Sequence, residues 1–254
     1  MENSNKKINI IALLFNILSL ITVIVIIYFL IIWNKENKEN RELNENLISD
    51  ANISSDSINI DGVNVQKLNV DFNSLKSQNN ETVGWIRVND TNINYPVVQH
   101  SNNSYYLTHG FDKKYNKSGS IFANSKNKFN PIDKNIIIYG HNRRNGAMFS
   151  SLNSTLKDSW YTKKENQYIN FNTTSVAGIW KIFSIYKIKS KDATFPISFA
   201  SNTEFSSFIN LAINRSIYNF NETANFDDNI LTLSTCGNNN AYRIIIHAKL
   251  VFSV

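Results

Sequence analysis

From Ile8 to Trp33 the chain runs 26 residues without a formal charge, dominated by Ile, Leu, Val and Phe. At about 1.5 Å of rise per residue, a helix of that length crosses a hydrocarbon core of about 30 Å with some tilt. A secretory signal would carry a shorter apolar core, about 7–15 residues, and a small-residue cleavage site after it; the sequence has neither. Such a span divides the rest of the chain between two sides of a membrane, residues 1–7 on one and everything after Trp33 on the other. Lys6 and Lys7 just before the span favour a cytoplasmic N-terminus. Lys35, Lys38 and Arg41 follow it, but they are interleaved with Glu36, Glu39 and Glu42. The expectation is a single-pass protein of the cell membrane, N-terminus inside, with its body outside the cell.

Cysteine and charge narrow what that body does. Cys236 is the one cysteine, so no internal disulfide forms, and an odd thiol outside the membrane points to intermolecular pairing or to a reactive group. Without a cysteine partner and with four scattered His, no zinc cluster takes shape, and neither a metal nor a cofactor is expected. The net formal charge is +6, unevenly spread: residues 34–84 carry five basic and nine acidic side chains, residues 85–254 nineteen and ten. A basic body suits anionic lipid or cell-wall polymer, although a solvated basic surface is the plainer account. Nucleic acid is a poor partner for a domain outside the membrane.

Residues 34–65, rich in Asn, Ser, Asp and Glu, have linker composition, with helical character near Arg41–Ile48. Val70, Phe72 and Leu75 predict a short helix over Val70–Gln78. From Gly84 onward strand signals dominate: Trp85–Val88, Ile93–Val98, Ser120–Ala123, Asn135–Tyr139, Gln167–Phe171, Ile179–Ile188, Ile230–Thr235 and Arg243–Phe252. Between the sixth and seventh, Phe205, Phe208, Ile209, Ala212 and Ile213 recur at helical spacing within Thr203–Phe220. Short strands over one body of this length indicate a mainly β domain, an eight-stranded closed or nearly closed barrel.

Three strand ends carry the chemistry. The run Ile230-Leu-Thr-Leu-Ser-Thr delivers Cys236; Arg243 opens the last run; Asn135-Ile-Ile-Ile-Tyr139 leads to Gly140-His141-Asn142. A thiol with a basic partner and a cationic stabiliser is the minimum kit for acyl transfer through a thioester. The alternative is a small buried hydrophobe, since free Cys is among the most buried residue types.

The runs Thr232-Leu-Ser-Thr-Cys236 and Ile138-Tyr-Gly-His141-Asn142, with the spaced Arg243, resemble the active-site segments of sortases, the membrane-anchored cysteine transpeptidases of Gram-positive bacteria. Val83-Gly-Trp-Ile86, Ile93-Asn-Tyr-Pro-Val-Val-Gln99, Tyr105-Tyr-Leu107, Gly119-Ser-Ile-Phe122, Gly146-Ala-Met-Phe149 and the helix before the cysteine strand look like class B. The resemblance covers residues 66–254, taken as the catalytic domain. It implies the sortase-type barrel with an N-terminal helix and a long helix between strands 6 and 7. It also implies Cys236 as nucleophile, His141 as general acid/base and Arg243 as oxyanion or substrate stabiliser. Ser234 and Thr235, beside the nucleophile, are candidates for the substrate-groove wall, although alternate side chains of a strand face opposite ways. The implied partners are surface proteins bearing a sorting signal, of the Asn-Pro-x-Thr-x or related Pro-x-Thr type, and a peptidoglycan-precursor or pilin amine. Two departures stand out: the stretch from Cys236 to Arg243 is tighter than class B leads one to expect, and it holds no carboxylate.

Two other functions use the same features. A cysteine peptidase would share every residue named and pass the acyl group to water, and a membrane-tethered binding module would keep Cys236 inert. An L,D-transpeptidase places its nucleophile in a different context, and no Asp-Pro-aromatic lid precedes the barrel as in pilus-polymerising enzymes. Among other candidates, His100 and His109 sit in loop-like sequence without a partner, and Arg143 and Arg144 suit a solvated turn. His247, alternating with Ile245 and Lys249, is expected to face solvent or a polar neighbour.

Overall fold

The computed structural model describes residues 2–143, 146–236 and 241–254, the side chains of residues 2–9 and 11 excepted. Two compact units result, Met1–Glu45 and Asn46–Val254.

Helix α1 (Glu2–Asp50) makes up the first unit and runs into the second. Its apolar stretch has a mean hydropathy of 2.8 over its best window, long and apolar enough to cross a membrane. Side chains such as Phe15 and Phe29 stand 71% and 64% exposed. A helix apolar all round has no soluble partner face to bury, which is consistent with a membrane anchor or a signal sequence. The helix does not stop at Trp33. Lys35–Glu39 at 3.8 Å and Lys38–Glu42 at 3.5 Å pair one turn apart on its exposed side, and no Gly or Pro breaks the run before Asp50.

The linker expected over residues 34–65 is therefore corrected. Beyond α1, strands β1 (Ser54–Ile60) and β2 (Val63–Asn69) pair as an antiparallel hairpin. Asp61 and Gly62 form its turn with φ of +51° and +79°, the left-handed pair that matches the twist of a hairpin. Three side-chain hydrogen bonds, two of them buried, fasten β2 to the body. Asn170 Nδ2 donates to Gln66 O at 2.7 Å, Asn172 Nδ2 to Leu68 O at 2.8 Å, and Leu68 N to Asn170 Oδ1 at 3.1 Å.

Next comes α2 (Phe72–Gln78), capped by Asp71, whose carboxylate accepts from Asn73 N at 2.9 Å. The eight barrel strands follow: β3 (Thr82–Val88), β4 (Asn94–Val98), β5 (Ile121–Ala123), β6 (Asn135–His141), β7 (Tyr168–Thr173), β8 (Gly178–Lys189), β9 (Ile230–Cys236) and β10 (Tyr242–Ser253). A short α3 (Asp158–Tyr161) lies between β6 and β7, and α4 (Asn202–Arg215) between β8 and β9, the sixth and seventh barrel strands. The sheet closes in the order β10-β8-β7-β3-β4-β5-β6-β9. All eight strands fall where the sequence predicts them.

Period-two alternation fills the barrel. Ile136 and Ile138, Leu231 and Leu233, and Ile244, Ile246 and Ala248 join one inner cluster with Ile86, Phe149 and Trp180. The opposite faces of β9 and β10 are also covered, because Ile230 and Ile245 pack against Phe205, Ile209 and Ala212 of α4. Burial on both faces explains why these strands read as unbroken apolar runs rather than as alternation. Each fully buried Ile or Leu contributes roughly 1.5–3 kcal/mol relative to exposure.

Helix α4 ends at Arg215, five residues before the predicted end at Phe220. Ser201 Oγ accepts from Glu204 N at 3.2 Å while Glu204 Oε2 accepts from Ala200 N at 2.7 Å, a reciprocal cap that fixes its start.

Candidate active site

Strands β6 and β9 run parallel, with His141 opposite Cys236, Tyr139 opposite Ser234 and Ile137 opposite Thr232. Strand β10 runs antiparallel to β9 with Ile245 opposite Ser234 and His247 opposite Thr232. Continued by two residues, that register sets Arg243 beside Cys236. Because 136, 138, 231, 233, 244 and 246 point into the barrel, alternation turns His141, Cys236 and Arg243 to its outer face. The three predicted residues thus form one row across three adjacent strands.

Gly140 is what the row requires between Tyr139 and His141. A Cβ there would lie 2.4 Å from Ile121 Cδ1 and 2.7 Å from Phe149 Cγ, so only glycine lets β6 pass this close to the core.

Burial pushes the Cys236 thiol above its ordinary value; the Arg243 charge and hydrogen bond, and the Gly140 N–H, pull the other way without cancelling it. Burial thus favours the thiol over the thiolate. Arg243 is held by its own neighbour strand, Nη1 donating to the Thr235 carbonyl at 2.9 Å. His141, nearly buried, has Nε2 2.7 Å from the Leu107 carbonyl.

The two predicted groove residues part company. Ser234 faces outward with the row; it is fully buried, and its Oγ has no hydrogen-bond partner among the described residues. Thr235 turns inward, where its Oγ1 accepts from Ile244 N at 2.9 Å. Its hydroxyl ties β9 to β10, and the residue serves the row through its carbonyl instead.

Tyr139 is a neighbour that the sequence reading did not single out. It sits one outward position before His141, and Asn124 Nδ2 donates to its hydroxyl at 3.1 Å. Burial raises its pKa, against that Asn124 hydrogen bond, and the nearby Cys236 adds to the rise. The signal available was parity: an aromatic residue two positions from the histidine shares its face. At the barrel mouth, a cleft of about 230 Å³ is lined by Asn142, Asn153, Lys187, Tyr242 and Arg243.

The remaining candidates lie elsewhere. His100 Nδ1 bonds to Glu81 Oε1 at 2.8 Å, and His100 and His109 stack on opposite sides of Tyr105. His247 is fully buried rather than solvent-facing, between Thr232 Oγ1 and Tyr186 Oη, each at 2.9 Å. Arg143 donates to the Lys117 carbonyl at 2.6 Å and holds that loop. Arg144 and most of the short stretch between Cys236 and Arg243, residues 237–240, lie outside the described residues.

A thiol, an imidazole and a guanidinium in one row suit acyl transfer, and the comparisons agree. The sortase domain family matches residues 86–251. The chain is 33% identical over 185 residues to Sortase B of Staphylococcus aureus, covering 71% of this chain and 74% of that one. The crystal structure of sortase B from B. anthracis superposes with a TM-score of 0.73 at 30% identity, over 85% of this chain and 98% of that one. A Staphylococcus aureus sortase B–substrate complex does so with 0.67 at 32%, over 71% and 84%. With fold, strand-end residues and extended identity in agreement, the chain belongs to the sortase family of cysteine transpeptidases, in its class B.

Proposed function

We propose that this chain cleaves a sorting-signal peptide of the Asn-Pro-x-Thr-x or related Pro-x-Thr type through a thioester on Cys236, and passes the acyl group to a cell-wall or pilin amine. The observation that carries this reading is the outward row of His141, Cys236 and Arg243 on adjacent strands. His141 takes the thiol proton as sulfur attacks the scissile carbonyl, and the C–N bond breaks as that proton passes to the leaving amine. Arg243 donors offset the charge on the carbonyl oxygen as it develops, the point at which fixed donors matter most. The incoming amine then attacks the thioester, gives a proton to His141 and restores the thiol.

Ser234 and Tyr139, paired on neighbouring strands beside the row, underlie a peptide groove; the Ser234 hydroxyl is covered by the protein and does not itself reach a peptide. The cleft beside Arg243 is the approach for the amine. Helix α1 tethers the enzyme as a single-pass anchor, N-terminus inside and catalytic unit outside, where substrates and acceptors reach the cell wall.

The test is mass spectrometry on the full chain in detergent, with a Cys236→Ala control, against a panel of sorting-motif peptides and an oligoglycine amine. Peptide joined to the amine, absent from the control, is the expected result and names the motif. Cleavage without joining, at saturating amine, replaces transfer by hydrolysis. No adduct on any peptide, together with an alkylation-resistant Cys236, removes the enzymatic reading.

A further inference from the structure

His141 has two ring nitrogens, and the structure commits one of them. Nε2 lies 2.7 Å from the Leu107 carbonyl. A backbone carbonyl only accepts, so Nε2 carries the hydrogen, and the lone pair of the neutral ring sits on Nδ1. Among the described residues, Nδ1 makes no hydrogen bond. The stretch after Cys236 offers no carboxylate to orient the ring.

The carbonyl is itself held from several directions. Leu107 ends the 3₁₀ turn Tyr105–Leu107. The Tyr105 ring is clamped between His100, 4.2 Å away, and His109, 4.0 Å away and nearly coplanar at 6°. Buried Tyr106 donates its hydroxyl to Glu81 Oε2 at 2.5 Å and accepts from Asn79 Nδ2 at 2.9 Å, while its carbonyl accepts from Ser120 N at 2.9 Å. Gly119 closes the back with φ +62°. A Cβ there would meet Tyr106 O at 2.4 Å, Leu107 O at 2.9 Å and His141 Cδ2 at 3.0 Å. The glycine is thus demanded by its φ and by both members of the hydrogen bond.

From this we infer that the Leu107 carbonyl is the positioning group of the reaction, doing for His141 what a carboxylate does in other nucleophile–histidine pairs. It fixes the tautomer so that Nδ1 faces the chemistry. When the thiol proton moves to Nδ1, both nitrogens carry hydrogen, and the carbonyl still holds Nε2–H while Nδ1–H is handed to the leaving amine. Tyr105 and Gly119 act through it. The inference rests on His141 as general acid/base, but its first readout does not depend on activity.

That readout is ¹⁵N NMR of the histidine rings in the full-length Cys236→Ala chain in nanodiscs at alkaline pH, with His141 assigned by loss in a His141→Gln variant. A protonated Nε2 and an unprotonated Nδ1 are expected; the opposite tautomer overturns the proposal. Gly119→Ala is expected to mix the tautomers and lower kcat about a hundredfold, with the peptide KM within about threefold. A folded Gly119→Ala chain with wild-type kcat overturns it. Where Gly119→Ala does not fold, Tyr105 decides. Tyr105→Leu removes the clamp and lowers kcat, whereas Tyr105→Phe keeps the ring and restores it; equal kcat in the two overturns the clamp. Unaltered turnover in His141→Gln would instead bring down the general acid/base reading itself, whichever tautomer is seen.

Discussion

Arg243 Nη1 donates to the carbonyl of Thr235 at 2.9 Å, the residue immediately before Cys236. The guanidinium is thereby anchored to the backbone that carries the sulfur, with one donor committed there and others able to meet the sulfur or a bound carbonyl. A lysine keeps the charge but has no fork to bridge the two tasks. Arg243→Lys is expected to lower kcat about a hundredfold, the range seen when an oxyanion donor is lost, with a much smaller change in peptide KM. Single-turnover acylation measured by quench and mass spectrometry checks it.

Ser234 bears on stability alone. Its buried Oγ lacks a partner among the described residues, so removing it relieves a cost of the folded state. Ser234→Ala is expected to leave thermal stability equal or higher by about 1 kcal/mol, with peptide KM within about twofold of wild type. Calorimetry together with steady-state kinetics on one preparation tests both halves; a fall in stability or a large rise in KM would refute them.

His247 sets the acid limit of the fold. Thr232 Oγ1 donates to Asn135 Oδ1 at 2.8 Å, so it accepts from His247 Nδ1, and His247 Nε2 accepts from Tyr186 Oη. The neutral ring is fully satisfied. Burial, with the Arg215 charge adding, pushes its pKa down to about 3 from the usual 6.5. The unfolded chain therefore takes up a proton below pH 6.5 that the folded chain refuses until near 3. Stability from this site is complete above 6.5 and falls as pH drops, by about 2 kcal/mol between pH 7 and 5. Urea midpoints across that range should show the loss in the wild type and a flatter profile in His247→Gln.

Glu222 joins two lysines of adjacent strands. Its carboxylate meets Lys181 Nζ at 2.6 Å and Lys249 Nζ at 2.9 Å, and Lys181 also meets Asp61 of the hairpin turn at 2.8 Å. The Lys181 side chain is only 14% exposed and that of Glu222 19%, so neutralising Glu222 leaves two poorly solvated ammonium groups facing each other. Glu222→Gln is expected to destabilise the protein by about 2 kcal/mol, below the 3–5 of a fully buried pair because solvent reaches part of the cluster. Glu222→Gln paired with Lys249→Met should recover part of the loss in a double-mutant cycle.

The barrel was legible because each strand is a short β-branched or aromatic run bounded by polar turns, and the alignment of Cys236, His141 and Arg243 in one row was legible because each sits at such a boundary. The hairpin was not. Ser54-Ser-Asp-Ser dilutes β1, and its alternation survives only in Ile58, Ile60, Val63 and Val65; Asp61-Gly62 between them was the signal that composition outweighed. Ser234 and Thr235 could be told apart only with an inward reference, which Leu231 and Leu233 supply once the core is known. Leu107 entered only within the Tyr105-Tyr-Leu107 segment, and nothing there marked its role, because a carbonyl is the same whatever side chain stands beside it.

The parallel pairing of β6 with β9 is also a seam of the barrel, joining segments far apart in the chain. His141 and Cys236 meet only when that seam is shut. Any opening of that seam separates Cys236 from His141 while leaving the other strand pairs of the barrel in register.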